Sequence, residues 1–258
     1  MAEGKHLFPS RTQKLSPPAP MVLQDYLWES RTLPGFFLLE GEMEIKIISF
    51  DIDGTLVHPK YNDLIWHRAI PEMVAKKNSL NFNKASNLVQ KEYDRIGEKD
   101  YRWYDIKFWI QFFQLDIDYK ELLKKYEKEI IIFSDVHSTL EQLFKRYQLI
   151  SITSMPREFM DIKLKSIKKY FQETFSTLSE YKELKNRDTY YHISHKLKTN
   201  PQQILHIGDH EQLDYIAARE AGWKVLLIDR FYTTGLQEKY PDSVLHTLTE
   251  LLNRIYLF

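Results

Sequence analysis

Residues 45–56, Ile-Lys-Ile-Ile-Ser-Phe-Asp-Ile-Asp-Gly-Thr-Leu, constrain this chain more than any other stretch. Ile45 to Phe50 is short, apolar and β-branched, as suits a strand packed on both faces of a sheet. It ends abruptly in two carboxylates and a glycine, and Gly54 frees the backbone to turn. In open α/β sheets, ligands bind outside the carboxyl ends of the strands. Asp51 and Asp53 stand at such an end, two residues apart, so they point roughly the same way. Two acids side by side in a cleft repel, and their pKa values separate. One can stay ionised as nucleophile or metal ligand while the other carries a proton. The plainer alternative is an acidic turn after a buried strand.

The rest of the chain alternates helices with further buried strands. Residues 149–153, 175–178, 204–209 and 224–229 read as strands. Helices are expected over 136–147, after Pro156, over 188–198, over 216–222 with a glycine stop, and in the tail after Pro241. Between the first two strands the pattern is helical only, with apolar spacing of three and four over 63–77, 84–96, 105–114 and 118–131. Asn83 and Asp118 are the expected N-caps there. Strands alternating with helices imply parallel pairing and right-handed crossovers. The expected fold is a doubly wound, Rossmann-like α/β core from 43–60 and 134–258, carrying an all-helical cap at 61–133. Arg102 and Lys99 lie in a polar gap between helices of that cap. The gap either faces an anionic substrate or is a solvated connector.

Composition removes several function classes. The 258 residues allow one large domain or a core with a smaller lobe. Lys plus Arg and Asp plus Glu number 36 each, which speaks against nucleic acid as the main partner. The chain has no cysteine, so disulfides and thiolate metal sites are excluded. No apolar run reaches the roughly 18 residues of a membrane helix, and a cytoplasmic location is expected. Residues 1–42 hold half of the prolines and no sustained period. They read as an extension outside the core. It is either a leader ahead of a native start at Met43 or an arm that packs through Trp28, Phe36 and Phe37.

The run Asp51-Ile52-Asp53-Gly54-Thr55-Leu56 resembles the first motif of the haloacid dehalogenase superfamily. Thr153, at the end of the second strand, is similar to the hydroxyl of the second motif. Asp209 and Asp214, in Gly208-Asp209-His210-Glu211-Gln212-Leu213-Asp214, resemble the spaced acidic pair of the fourth. The third motif is a lysine, and here the pattern departs. Family members commonly have Lys-Pro, whereas Lys185 precedes Asn186, so Lys185 is the first choice and Lys182 the runner-up.

The resemblance covers residues 45–252 and implies a Mg²⁺-dependent phosphatase acting on a small phosphorylated metabolite. Asp51 would be the nucleophile that forms an aspartyl-phosphate. Asp51, Asp209 and the Asp53 carbonyl would hold the cation. Thr153 and Lys185 would bind phosphoryl oxygens, and Asp214 would orient its neighbours. Asp53, protonated, would donate to the leaving oxygen and then activate water. His210 either touches substrate or is an exposed loop histidine, and His206 reads as a core residue. A phosphomutase would use the same residues. A dehalogenase is disfavoured, because that branch lacks the second acid. A non-catalytic, phosphate-responsive binding module would not need so large an insert.

Overall fold

The computed structural model describes residues 44–232 and 235–258; the arm expected over 1–42 lies outside them. Six parallel strands form one sheet: β1 (Ile47–Phe50), β2 (Gln148–Thr153), β3 (Glu173–Ser176), β4 (Ile204–Gly208), β5 (Lys224–Ile228) and β6 (Val244–Leu245). Their order is β3-β2-β1-β4-β5-β6. The chain works outward from β1 in one direction, then returns and works outward in the other. The switch therefore falls between β1 and β4, where doubly wound sheets open a crevice.

Both faces of the sheet are covered, as the run of apolar side chains requires. Ile48 and Phe50 pack into a cluster with Leu140, Leu149, Leu205 and Leu251. Ile47 turns to the opposite face, with Ile150, Tyr190, Ile204 and Trp223. Ser49 shares that second face and is the register partner of His206 on β4. A polar pair is thus buried in the middle of the sheet.

Several expected boundaries shift. The third strand is Glu173–Ser176 and not 175–178. Ser176 caps a short helix, Thr177–Tyr181, by accepting from the Ser179 N–H, so the capping geometry ends the strand early. The helix over 136–147 stops at Leu143, and the one over 118–131 stops at Lys125. Asn81, not Asn83, caps the helix Phe82–Ile96, its side chain accepting from the Lys84 N–H. Asp118 caps as expected, accepting from Lys120 at 2.7 Å. The two-residue edge strand β6 lies inside the tail that was read as helix alone. It is too short to leave a pattern of its own.

The segment between β1 and β2 is built from helices: the continuous run Lys60–Asp63, Leu64–Ala69 and Ile70–Lys77, then Phe82–Ile96, Ile106–Phe112 and Tyr119–Lys125. Its aromatic-rich interior joins Tyr61, Trp66, Tyr93 and Trp109. The same cluster takes in Met155 and Phe159, which follow β2. The Phe159 ring stacks on Trp66 at 5.5 Å and meets Tyr61 edge-on at 6.2 Å. Two ion pairs flank this contact, Lys107–Glu158 at 2.8 Å and Lys165–Glu127 at 2.5 Å. The two connecting segments run side by side, with the His58 N–H donating to the Ile131 carbonyl. Among the described residues, no helix is long and apolar enough to cross a membrane.

Candidate active site

Asp51 follows β1 directly, and the sheet brings three other segments to it. Lys185 precedes the helix Arg187–Lys196, whose N-terminus is fixed by a reciprocal cap between Asn186 and Thr189. The Lys185 N–H donates to Ser154 Oγ at 2.9 Å, which ties this loop to the end of β2. Its Nζ donates to Asp51 Oδ1 at 2.6 Å and also to Asp214 Oδ1. Lys182, the runner-up, has φ 61° at the end of the preceding short helix and lines an outer cleft.

Two glycines let the acids approach. Gly54 has φ +78°, and a Cβ there would overlap the Asp209 carboxylate. A Cβ on Gly208 would overlap the Asp214 carboxylate. Asp214 lies in a π-helical turn, Glu211–Ile216, and its Oδ2 accepts from the His210 N–H at 2.9 Å. One oxygen from each of Asp51, Asp209 and Asp214 falls within 4.8 Å of the others.

Asp214 is fully buried and held from several sides. His206 Nε2 lies 3.0 Å from Asp214 Oδ1, and Tyr190 OH lies 3.0 Å from the same nitrogen. A carboxylate only accepts, so Nε2 carries the hydrogen and Nδ1 accepts from Ser49 Oγ at 2.9 Å. Burial opposes a charge on Asp214. Lys185 and the His206 bond outweigh it and hold this carboxyl well below the usual range. Burial likewise opposes the Lys185 charge, but Asp214 and Asp51 raise its pKa above the ordinary lysine value. Burial keeps His206 below the ordinary imidazole value, so it serves as a neutral spacer.

Asp51 is 5% exposed, and burial pushes its carboxyl well above the usual range. Lys185 pulls it back; Asp214 and Asp209 push it up further. Three clustered carboxyl groups share one ammonium, so ionising all three would leave an excess of negative charge. The donors are all hard oxygens, as a divalent cation such as Mg²⁺ takes. Asp51, Asp209 and Asp214 are the residues close enough together to hold one, and Asp214 already accepts from Lys185, His206 and the His210 N–H.

Both Asp53 carboxyl oxygens accept from Lys163 Nζ, at 2.7 and 2.8 Å. Lys163 was not anticipated, yet the helix Arg157–Leu164 carries a signal for it. Phe159, Met160, Lys163 and Leu164 form its buried stripe, and a lysine in such a stripe asks for a partner. His206, expected in the core, is buried there but also reaches Asp214.

Thr153 ends β2, buried, with Oγ1 accepting from the Met155 N–H at 3.1 Å. His210 is exposed and caps the π-helical turn, with Nδ1 accepting from the N–H groups of Gln212 and Leu213. An open cleft of about 690 Å³ lies against Lys185, between residues 99–102 of the helical segment and 182–186. Arg102 lines it. Asp100 grips the Arg102 guanidinium, Oδ1 accepting from Nε at 3.0 Å and Oδ2 from Nη2 at 2.5 Å.

Comparisons with known proteins agree with this fold. A HAD phosphatase from Thermococcus onnurineus superposes with a TM-score of 0.72 at 26% identity, over 83% of this chain and 98% of that one. The HAD-hydrolase YfnB from Bacillus subtilis, solved bound to magnesium, gives 0.57 at 14% identity, over 83% and 99%. The GMP/IMP nucleotidase YrfG of Escherichia coli is 24% identical over 74 residues, 29% of this chain. That match spans only 33% of YrfG. A family model for haloacid dehalogenase-like hydrolases matches residues 45–222, a span that holds every acid and lysine of the site. By that match, the chain belongs to the haloacid dehalogenase-like hydrolases.

Proposed function

We propose that this enzyme is a Mg²⁺-dependent phosphatase that hydrolyses a small phosphate monoester through an aspartyl-phosphate on Asp51. The contact between Lys185 Nζ and the buried Asp51 carboxylate carries this reading. A nucleophile that must attack an anionic phosphate needs positive charge beside it, and little else from the protein except positioning.

Asp51 supplies the attacking oxygen. Oδ1 carries Lys185, whose ammonium also offsets the negative charge of the incoming phosphoryl group. Thr153 stands at the end of the neighbouring strand, where its hydroxyl can bond a phosphoryl oxygen. Asp214, with neutral His206 behind it, keeps Lys185 extended and charged. Asp53 takes the proton of the attacking water in the second step. For the first step it must arrive protonated to help the leaving oxygen. A divalent cation held by Asp51, Asp209 and the Asp53 carbonyl would neutralise the excess carboxylate charge and polarise the phosphate. The helical segment at 61–133 is read as a cap that closes over the cleft and selects the substrate. Arg102 is read as its contact with an anionic leaving group.

The test uses Asp53→Asn with an activated aryl phosphate and with an alkyl phosphate. General acid help is worth about 10²–10⁴ in rate, and a phenolate needs little of it. The aryl ester should give a burst of phenolate, then slow turnover, with labelled phosphate trapped on the protein. Asp51→Asn should trap none and show no turnover. Equal losses for both esters without trapped phosphate would overturn the acid–base assignment. Formation of an isomer in place of inorganic phosphate from a sugar phosphate would identify a mutase.

A further inference from the structure

Lys163 performs no step in the chemistry above, yet its side chain is only 1% exposed. Lysine is almost never fully buried without a partner, because taking its charge out of water is costly. Here the ammonium is enclosed by the Phe159 ring, 5.3 Å away, and the Tyr61 ring, 5.9 Å away. Tyr61 OH donates to the Leu123 carbonyl, and Phe159 stacks on Trp66, so neither ring is loose. Tyr61 belongs to the helical segment between β1 and β2, and Phe159, which follows β2, packs against that segment. Among the described residues, Nζ hydrogen-bonds to the two carboxyl oxygens of Asp53.

Asp53 is the opposite kind of residue. It follows β1 in a turn, and its side chain is 19% exposed. Two side-chain rotations separate its carboxyl from the backbone. A general base must lie within hydrogen-bond reach of the proton it removes. A displacement of about 1 Å costs on the order of 10²-fold in rate. Two bonds from one rigidly seated ammonium fix both rotations at once.

We propose that Lys163 is a positioning residue that fixes the Asp53 carboxylate in the orientation needed for acid–base catalysis. The proposal rests on the reading of Asp53 given under Proposed function.

A double-mutant cycle tests it, with steady-state hydrolysis of an alkyl phosphate and of an aryl phosphate as readouts. Lys163→Met keeps the length of the side chain beneath Tyr61 and Phe159 and removes its bonds to Asp53. Lys163→Gln is the second variant, used if the first does not fold. Either variant should lower alkyl phosphate turnover by about 10²-fold, and labelled phosphate should accumulate on the protein as the second step slows. With the aryl ester as the common readout, the same substitution should slow turnover in the wild-type background, where the second step needs Asp53. In the Asp53→Asn background it should change turnover by no more than about twofold, the margin for an absent coupling. The same fold loss in both backgrounds, with no trapped phosphate, would show a merely structural role and overturn the proposal. If Asp53→Asn alone leaves alkyl phosphate turnover intact, the acid–base reading fails first and the proposal falls with it. The single variants therefore separate the two failures.

Discussion

The Asp209 carboxylate occupies the space where a side chain on Gly54 would begin. Residue 54 also has φ +78°, a conformation that an L side chain adopts only under strain. Two demands on one position, a turn and a close approach, bring the loop after β4 against the loop after β1. The acids of two distant sequence segments meet there.

Gly54→Ala should therefore damage metal binding more than folding. The backbone strain costs about 1–2 kcal/mol, a modest fall in melting temperature. Displacement of Asp209 should raise the Mg²⁺ concentration for half-maximal turnover by about tenfold or more. A Mg²⁺ titration of activity beside a thermal melt checks both. An unchanged titration would place the cation away from Asp209.

Asp209 and Asp214 should separate by phenotype. Asp214 is fully buried and bonded to Lys185, His206 and the His210 N–H. Asp214→Ala leaves buried donors without an acceptor and should cost about 3–5 kcal/mol of stability, seen as a lower urea midpoint. Asp209 is half-buried. Asp209→Ala should lower that midpoint less than Asp214→Ala does and sharply weaken Mg²⁺ binding, measured by calorimetry. Equal destabilisation by both would mean that Asp209 is structural.

Phe159→Ala removes a fully buried ring that lies between the sheet side of the molecule and Trp66. Such truncations cost about 3–5 kcal/mol. The loss should also loosen the helical segment, so limited proteolysis between residues 58 and 133 should speed up. Stable protection of that segment in a destabilised variant would show that the two ion pairs, Lys107–Glu158 and Lys165–Glu127, are enough to hold it.

Arg102→Ala should raise KM for a phosphate ester bearing a second anionic group by about tenfold, the worth of one charge-assisted hydrogen bond. An ester with a neutral tail should be hydrolysed unchanged. Equal effects on both esters would assign Arg102 to loop structure, through its pair with Asp100.

What was legible in the sequence was what local pattern carries. Ile45 to Leu56 specified a buried strand ending in acids, because β-branched alternation and a glycine turn are properties of neighbouring residues. The strand–helix alternation likewise implied a parallel sheet, and the helical spacing between the first two strands placed a helical segment there. Lys185, Asp209 and Asp214 could be named because the short stretches around them resemble the motifs of the family. Tertiary structure alone decided which lysine reaches Asp51, since Lys182 and Lys185 differ by three residues in sequence but only one points into the acids. It alone paired Asp53 with Lys163, 110 residues away. It alone made His206 a link between Ser49 and Asp214. These are contacts across the sheet and across the helical segment. They depend on how buried charges find partners once the chain has packed, and no local period records that.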